Sequence, residues 1–184
     1  MRACWQDLTA TLPAMPVRIF LLSCTPWEVT VPNTINATPK AYDRFQPSCR
    51  TNHLSQCCSS EELRNSYDNT ILYADSFIAD TIEFLKGYQH YETGLIYVSD
   101  HGESLGENGL YLHGLPYNFA PEAQKHVAAL GWLPPNSDFD LAKTKDQATA
   151  AFSHDNLYCS LLAMFEINVE NCKTVAPILV LKED

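Results

Sequence analysis

The sequence predicts an α/β layered fold, and three observations predict it. Leu63, Tyr67, Ile71, Ala74, Ile78, Ile82 and Leu85 recur at three- and four-residue steps, the period of one helix face. Gly94-Leu95-Ile96-Tyr97-Val98 is a short run of aliphatic, aromatic and β-branched residues, the composition of a buried strand. A second helical pattern comes late in the chain, so the order reads helix, strand, loop, strand, helix.

The 184 residues suffice for one domain with its own core. With 46% apolar and 18% charged residues, the composition is that of a folded chain rather than a disordered one. A net charge of −10, with the 12 Lys and Arg spread out, excludes a nucleic-acid surface and an anionic-membrane surface. No apolar stretch reaches the length of a transmembrane segment. Met1 to Leu22, interrupted by Asp7, Pro13 and Pro16, does not read as a signal peptide.

Residues 1–45 are weakly patterned, and Thr25 to Thr34 carries two prolines. Ser59 and Glu62 have capping-box spacing and start the first helix, which runs to about Gly87. Its polar face holds Arg64, Asn65, Asp68, Asp75 and Glu83, and Asp68-Asn69-Thr70 is assigned to that solvated face. The strand follows over 94–99, then a loop to His113. Gln124 to Leu133 reads as a second buried strand. Pro134-Pro135-Asn136-Ser137-Asp138 breaks the chain, and residues 138–151 read as a polar, mobile loop. Ser153 or Asp155 caps a last helix with Leu157, Leu161, Leu162 and Phe165 on one face. Pro177 to Leu181 reads as an edge strand. There is no internal repeat.

The chemistry concentrates where the strand ends, in Ser99-Asp100-His101-Gly102-Glu103-Ser104-Leu105-Gly106-Glu107-Asn108-Gly109, with His113 close behind. In open α/β sheets, ligands bind at the carboxyl ends of strands. A carboxylate oxygen beside an imidazole nitrogen suits zinc. An isolated Asp-His pair is most often a plain surface loop. Here strand end, glycine density and clustered acid and histidine coincide, which makes a metal or catalytic site the reading to test.

Seven cysteines point to an oxidising compartment. Cys49 and Cys57 flank a polar loop, and a local disulfide, a reduced loop and a zinc knuckle all fit that spacing. Cys58 competes with Cys57 for the partner. The odd total leaves at least one thiol unpaired, and the pattern assigns no partner to Cys4, Cys24, Cys159 or Cys172.

Ser66-Tyr67-Asp68-Asn69-Thr70, the run Tyr97 to Gly109 and Tyr111-Leu112-His113-Gly114-Leu115-Pro116-Tyr117 resemble the lipid A phosphoethanolamine transferases of the alkaline phosphatase and sulfatase superfamily. Cys49-Arg50-Thr51-Asn52 with Cys57 resembles that family's disulfide loop, and Ser153-His154-Asp155-Asn156-Leu157 the start of its late helix. The likeness covers residues 46–172, while 1–45 match poorly.

The resemblance implies a three-layer α/β/α sandwich, alkaline phosphatase/sulfatase-like and incomplete here. It implies a Zn2+ cofactor held by Asp100 and His101, with His113 at the phosphoethanolamine group and Glu103 beside it, binding substrate or a second cation, supporting a zinc ligand, or only bracing the loop. Phosphatidylethanolamine is then the donor and lipid A the acceptor, at the periplasmic face of the bacterial inner membrane. The family's Thr nucleophile and Glu zinc ligand match nothing in residues 1–99, and Thr70 lies inside the helix motif. The resemblance thus points to the C-terminal part of a catalytic domain, inactive alone. The Asp-His-Gly core is also shared with sulfatases and phosphodiesterases, and a non-catalytic remnant is the third alternative.

One segment departs from the pattern. The family carries His-Gly-Pro shortly before the Cys49 loop, where this chain has residues 22–39 without it. The codons these residues allow, read one base earlier, can spell Leu-His-Thr-Met-Gly-Ser-His-Gly-Pro-Lys-Tyr-Tyr-Gln-Arg-Tyr-Pro. The segment therefore reads as an out-of-frame translation closed by a second shift near Pro39.

Overall fold

The computed structural model describes residues 38–51, 57–165, 167 and 169–182. Nearly all of the 22–39 segment lies outside the described residues, as do Cys4 and Cys24. Helix α1 covers Ser60–Lys86, strand β1 Leu95–Val98, β2 Ser104–Leu105 and β3 Tyr111–Leu112. Then come α2, Glu122–Lys125; β4, Ala129–Trp132; α3, Leu141–Asp146; and α4, His154–Met164. β1 pairs with β4, and β2 with β3. The described residues fall into two compact units, one of 38–51, 57–84 and 96–130, the other of 85–95, 131–165, 167 and 169–182.

In the first unit α1 opens with the expected capping box. The Ser59 N–H donates to Glu62 Oε2 at 2.7 Å, and the Glu62 N–H donates to Ser59 Oγ at 3.2 Å. The bonds from Ser59 hold the Glu62 carboxyl below the usual range. The buried residues of α1 are Leu63, Ser66, Asn69, Thr70 and Thr81, whereas Ile71 is 49% exposed. This corrects the placing of Asn69 and Thr70 on a solvated face. Asn69 Oδ1 accepts from the N–H groups of Arg44 and Phe45, both at 2.8 Å, and its Nδ2 donates to Phe45 O at 3.0 Å. A buried amide with its hydrogen bonds made is stable there, and it pins the segment before the helix. Thr70 Oγ1 donates to Tyr67 O at 2.6 Å, within the helix.

Cys49 is bonded to Cys58, not to Cys57. The reason is side-chain direction: Cys58 packs against the core pair Cys49 and Leu63, while Cys57 is exposed with a free thiol. The hairpin residues Leu105, Tyr111 and Leu112 pack on the same pair. β2 and β3 run antiparallel, Ser104 opposite Leu112 and Leu105 opposite Tyr111.

The expected strand from Gln124 to Leu133 forms only over Ala129–Trp132. Gln124 and Lys125 belong instead to α2, where Pro121 sets the start, Glu122 lies in the first turn and Lys125 in the last. Glu122 and Lys125 pair at 2.8 Å.

In the second unit the region 138–151 is not all loop. Asp140 caps α3, its carboxylate accepting from the Lys143 N–H at 3.0 Å. Ser153 and Asn156 form the capping box of α4. Ser160 is fully buried; it donates to Asn156 O at 2.7 Å and accepts from the Ile178 N–H at 2.6 Å. Cys159 and Cys172 form a disulfide that the sequence pattern did not reveal. The expected edge strand from Pro177 to Leu181 is reduced to a single bridge, Leu181 opposite Phe139. The buried Phe139, Cys159 and Leu179 are the apolar core of this unit.

Candidate metal centre

β1 delivers the site. Beyond its end the Ser99 N–H donates to Ala128 O at 3.0 Å, and Ser99 Oγ donates to His101 O at 2.9 Å. Gly102 then passes so close to α2 that a Cβ there would lie 2.0 Å from the Ala123 carbonyl oxygen. Only glycine allows that approach. The Gly102 N–H donates to Gln124 O at 3.0 Å.

His101 is oriented by the backbone of its neighbour Gly102. Its Nδ1 lies 3.0 Å from Gly102 O. A carbonyl oxygen only accepts, so Nδ1 carries a hydrogen and Nε2 is the ring nitrogen left for another partner. Asp100 Oδ2 stands 3.7 Å from that Nε2. Asp100 Oδ1 accepts from the His101 N–H at 3.0 Å, and the Asp100 side chain is 87% exposed.

Glu103 is the opposite case, with a side chain only 3% exposed. Its Oε2 accepts from His113 Nδ1 at 3.1 Å, and its Oε1 is buried with no hydrogen-bond partner. Burial pushes the Glu103 carboxyl up, while the hydrogen bond and charge of His113, then the charge of His101, pull it down. The Tyr67 hydroxyl on α1 is pushed up by burial first and by the Glu103 charge second.

His113 reaches this spot through strained backbone. Leu112 has φ +67°, the left-handed region, which costs a non-glycine residue about 1–2 kcal/mol. Gly106, at φ +114°, makes the turn under the Tyr111 ring. The return stacks the His113 ring on His101, centroids 3.6 Å apart. His101, Glu103 and His113 each offer a ligand atom, and these atoms lie within 4.8 Å of one another. The four residues singled out in the sequence thus converge, with a difference of grouping. Glu103 joins the two histidines, and Asp100 faces His101 from the exposed side.

Gln124 was not anticipated. It is buried, and its Nε2 donates to Ser104 Oγ at 2.9 Å and to Leu112 O at 3.1 Å. No local pattern marks it, because every partner is distant in sequence.

The family model described as Sulfatase matches residues 30–167. The chain belongs to the sulfatase family. This sulfatase-family chain is 46% identical over 141 residues to the phosphoethanolamine transferase EptA of Salmonella typhimurium, covering 72% of the chain and 25% of that protein. It is 40% identical over 139 residues to the phosphatidylethanolamine transferase Mcr-1 of Escherichia coli, covering 73% of the chain and 25% of that protein. Its structure matches the C-terminal periplasmic domain of the phosphoethanolamine transferase EptC of Campylobacter jejuni with a TM-score of 0.72 and 39% identity. That match covers 83% of the chain and 50% of the solved domain. The fold is therefore an incomplete α/β fold of the alkaline phosphatase/sulfatase type. The chain spans about a quarter of the length of these curated relatives. Among the described residues, no helix is long and apolar enough to cross a membrane.

Proposed function

We propose that this sulfatase-family chain carries the zinc-ligating strand end and the headgroup-binding loop of a phosphoethanolamine transferase. The donor is phosphatidylethanolamine, the acceptor is lipid A, and the place is the periplasmic face of the bacterial inner membrane. The names of the relatives support the reaction and the donor, and the periplasmic domain from Campylobacter supports the place.

One observation carries the reading. Gly102 O holds the His101 Nδ1 proton, which leaves Nε2 free and facing Asp100 Oδ2 at 3.7 Å. An imidazole nitrogen beside a carboxylate is a fitting donor pair for zinc. Bound zinc supplies positive charge that stabilises an alkoxide nucleophile and the transferring phosphoryl oxygens. His113 donates its Nδ1–H to Glu103 Oε2, which leaves its other nitrogen for the phosphoethanolamine group. Thr70 is not assigned as the nucleophile: it lies within the helix, its hydroxyl donating to Tyr67 O. With no match to the family's Thr nucleophile or Glu ligand in residues 1–99, this chain alone turns over little substrate.

A second ligand set is favoured by the orphaned Glu103 Oε1. A cation held by His101, Glu103 and His113 would give that oxygen a partner. Calorimetric zinc titration separates the two. Loss of binding in Asp100→Ala but not Glu103→Gln supports the first set, and the reverse supports the second. A wild-type chain that takes up no zinc removes both. Transfer assayed with fluorescent phosphatidylethanolamine is expected to be near background, and robust transfer by the isolated chain would overturn its inactivity.

A further inference from the structure

We propose that Gln124 is the positioning residue of this site. The inference rests on reading His101, Glu103 and His113 as one site. Gln124 touches the immediate neighbours of all three. Its carbonyl oxygen accepts from the N–H of Gly102, the residue between His101 and Glu103. Its Nε2 donates to Ser104 Oγ, next to Glu103, and to the carbonyl of Leu112, next to His113. Nothing else among the described residues is shown bonding both strands of the β2–β3 hairpin through one side chain.

The amide orientation follows from chemistry. Leu112 O only accepts, so the NH2 group faces it. The Gln124 Oε1 atom is then left buried without a partner. An unsatisfied buried acceptor is tolerated where the rest of the group holds something costly in place. What it holds is Leu112 at φ +67°, the turn that folds His113 back onto His101 and Glu103. The α2 helix supplies the rigid base: Pro121 precedes it, and the Gln124 N–H donates to Pro121 O at 3.0 Å.

The test replaces Gln124 with methionine, which keeps the length and removes both donors. Two readouts are taken on the 184-residue chain. One is the imidazole 1H–15N signal of the His113 Nδ1 proton held by Glu103, which needs no metal. The other is zinc affinity by calorimetry. In a folded Gln124→Met chain the His113 signal is expected to vanish and zinc affinity to fall about 10- to 100-fold, the usual cost of removing an outer support. Glycine adopts positive φ freely, so Leu112→Gly in the Gln124→Met chain is expected to restore the His113 signal in part. That second variant keeps the test open if Gln124→Met alone unfolds. A folded Gln124→Met chain with an intact His113 signal, or a double variant with no restoration, overturns the proposal. Absence of zinc uptake by the wild type would sink the metal reading, while the His113 signal would still decide the role of Gln124.

Discussion

The imidazole rings of His101 and His113 lie stacked, 3.6 Å between centroids and 26° between planes. Each ring has its Nδ1 spoken for, His101 by Gly102 O and His113 by Glu103 Oε2. The stack is thus two histidines fixed by separate anchors, one a backbone carbonyl and one a buried carboxylate. Several measurable consequences come from how those anchors are built.

His113→Ala removes the one hydrogen-bond partner recorded for the Glu103 carboxylate, whose Oε1 already has none. A buried acceptor stripped of its partner costs about 1–3 kcal/mol. Urea unfolding is expected to show a loss in that range, and Glu103→Gln in the same chain should recover part of it. An unchanged midpoint for His113→Ala would contradict the buried pairing.

Cys58→Ser and Cys57→Ser should behave differently. The first opens the bond to Cys49 and is expected to cost about 2–4 kcal/mol, since it frees a closed loop and loosens the support of the hairpin. The second alters an exposed free thiol and should stay within about 0.5 kcal/mol. Non-reducing peptide mapping of the wild type checks the pairing directly; a Cys49–Cys57 peptide would refute it.

Gly102→Ala places a methyl group 2.0 Å from the Ala123 carbonyl oxygen, a backbone atom that cannot swing aside. The loop must move away from α2, at a cost of about 3 kcal/mol. Thermal unfolding and zinc titration of this variant should both fall. Normal zinc uptake by Gly102→Ala would show that the tight passage is not needed.

The start of α1 depends on pH. The Glu62 carboxyl is held below its ordinary value by bonds from Ser59, so the folded chain releases that proton more readily than the unfolded chain. Its contribution is present above the unfolded value of 4.5 and is lost as pH falls through the lower folded value. Glu62→Gln should flatten this acid dependence of stability. Ser59→Ala should cost about 1 kcal/mol at neutral pH. Circular dichroism across an acid series reads both.

What could be read from the sequence was local. The starts of α1 and α4 were legible because Ser59 with Glu62, and Ser153 or Asp155, stand as capping residues just before an apolar period. β1 was legible from Leu95 to Val98. The short helices α2 and α3 were hidden, since four and six residues are too few to show a period, and only Pro121 and Asp140 marked their starts. Asp100, His101, Glu103 and His113 stood out by clustering at a strand end. Their grouping did not, because burial separates Glu103 from Asp100 and no spacing records burial. Adjacent Cys57 and Cys58 differ only in the direction of their side chains, which the folded chain alone decides.

The hairpin that carries His113 has two residues in each strand, too few to stand unaided in water. It leans on Cys49, Cys58 and Leu63 from one side and is laced by Gln124. Grafting the Asp100–His113 loop onto a foreign scaffold would therefore transplant the letters without the shape. A portable module would run from Cys49 through β4, which pairs with the strand that delivers the histidines.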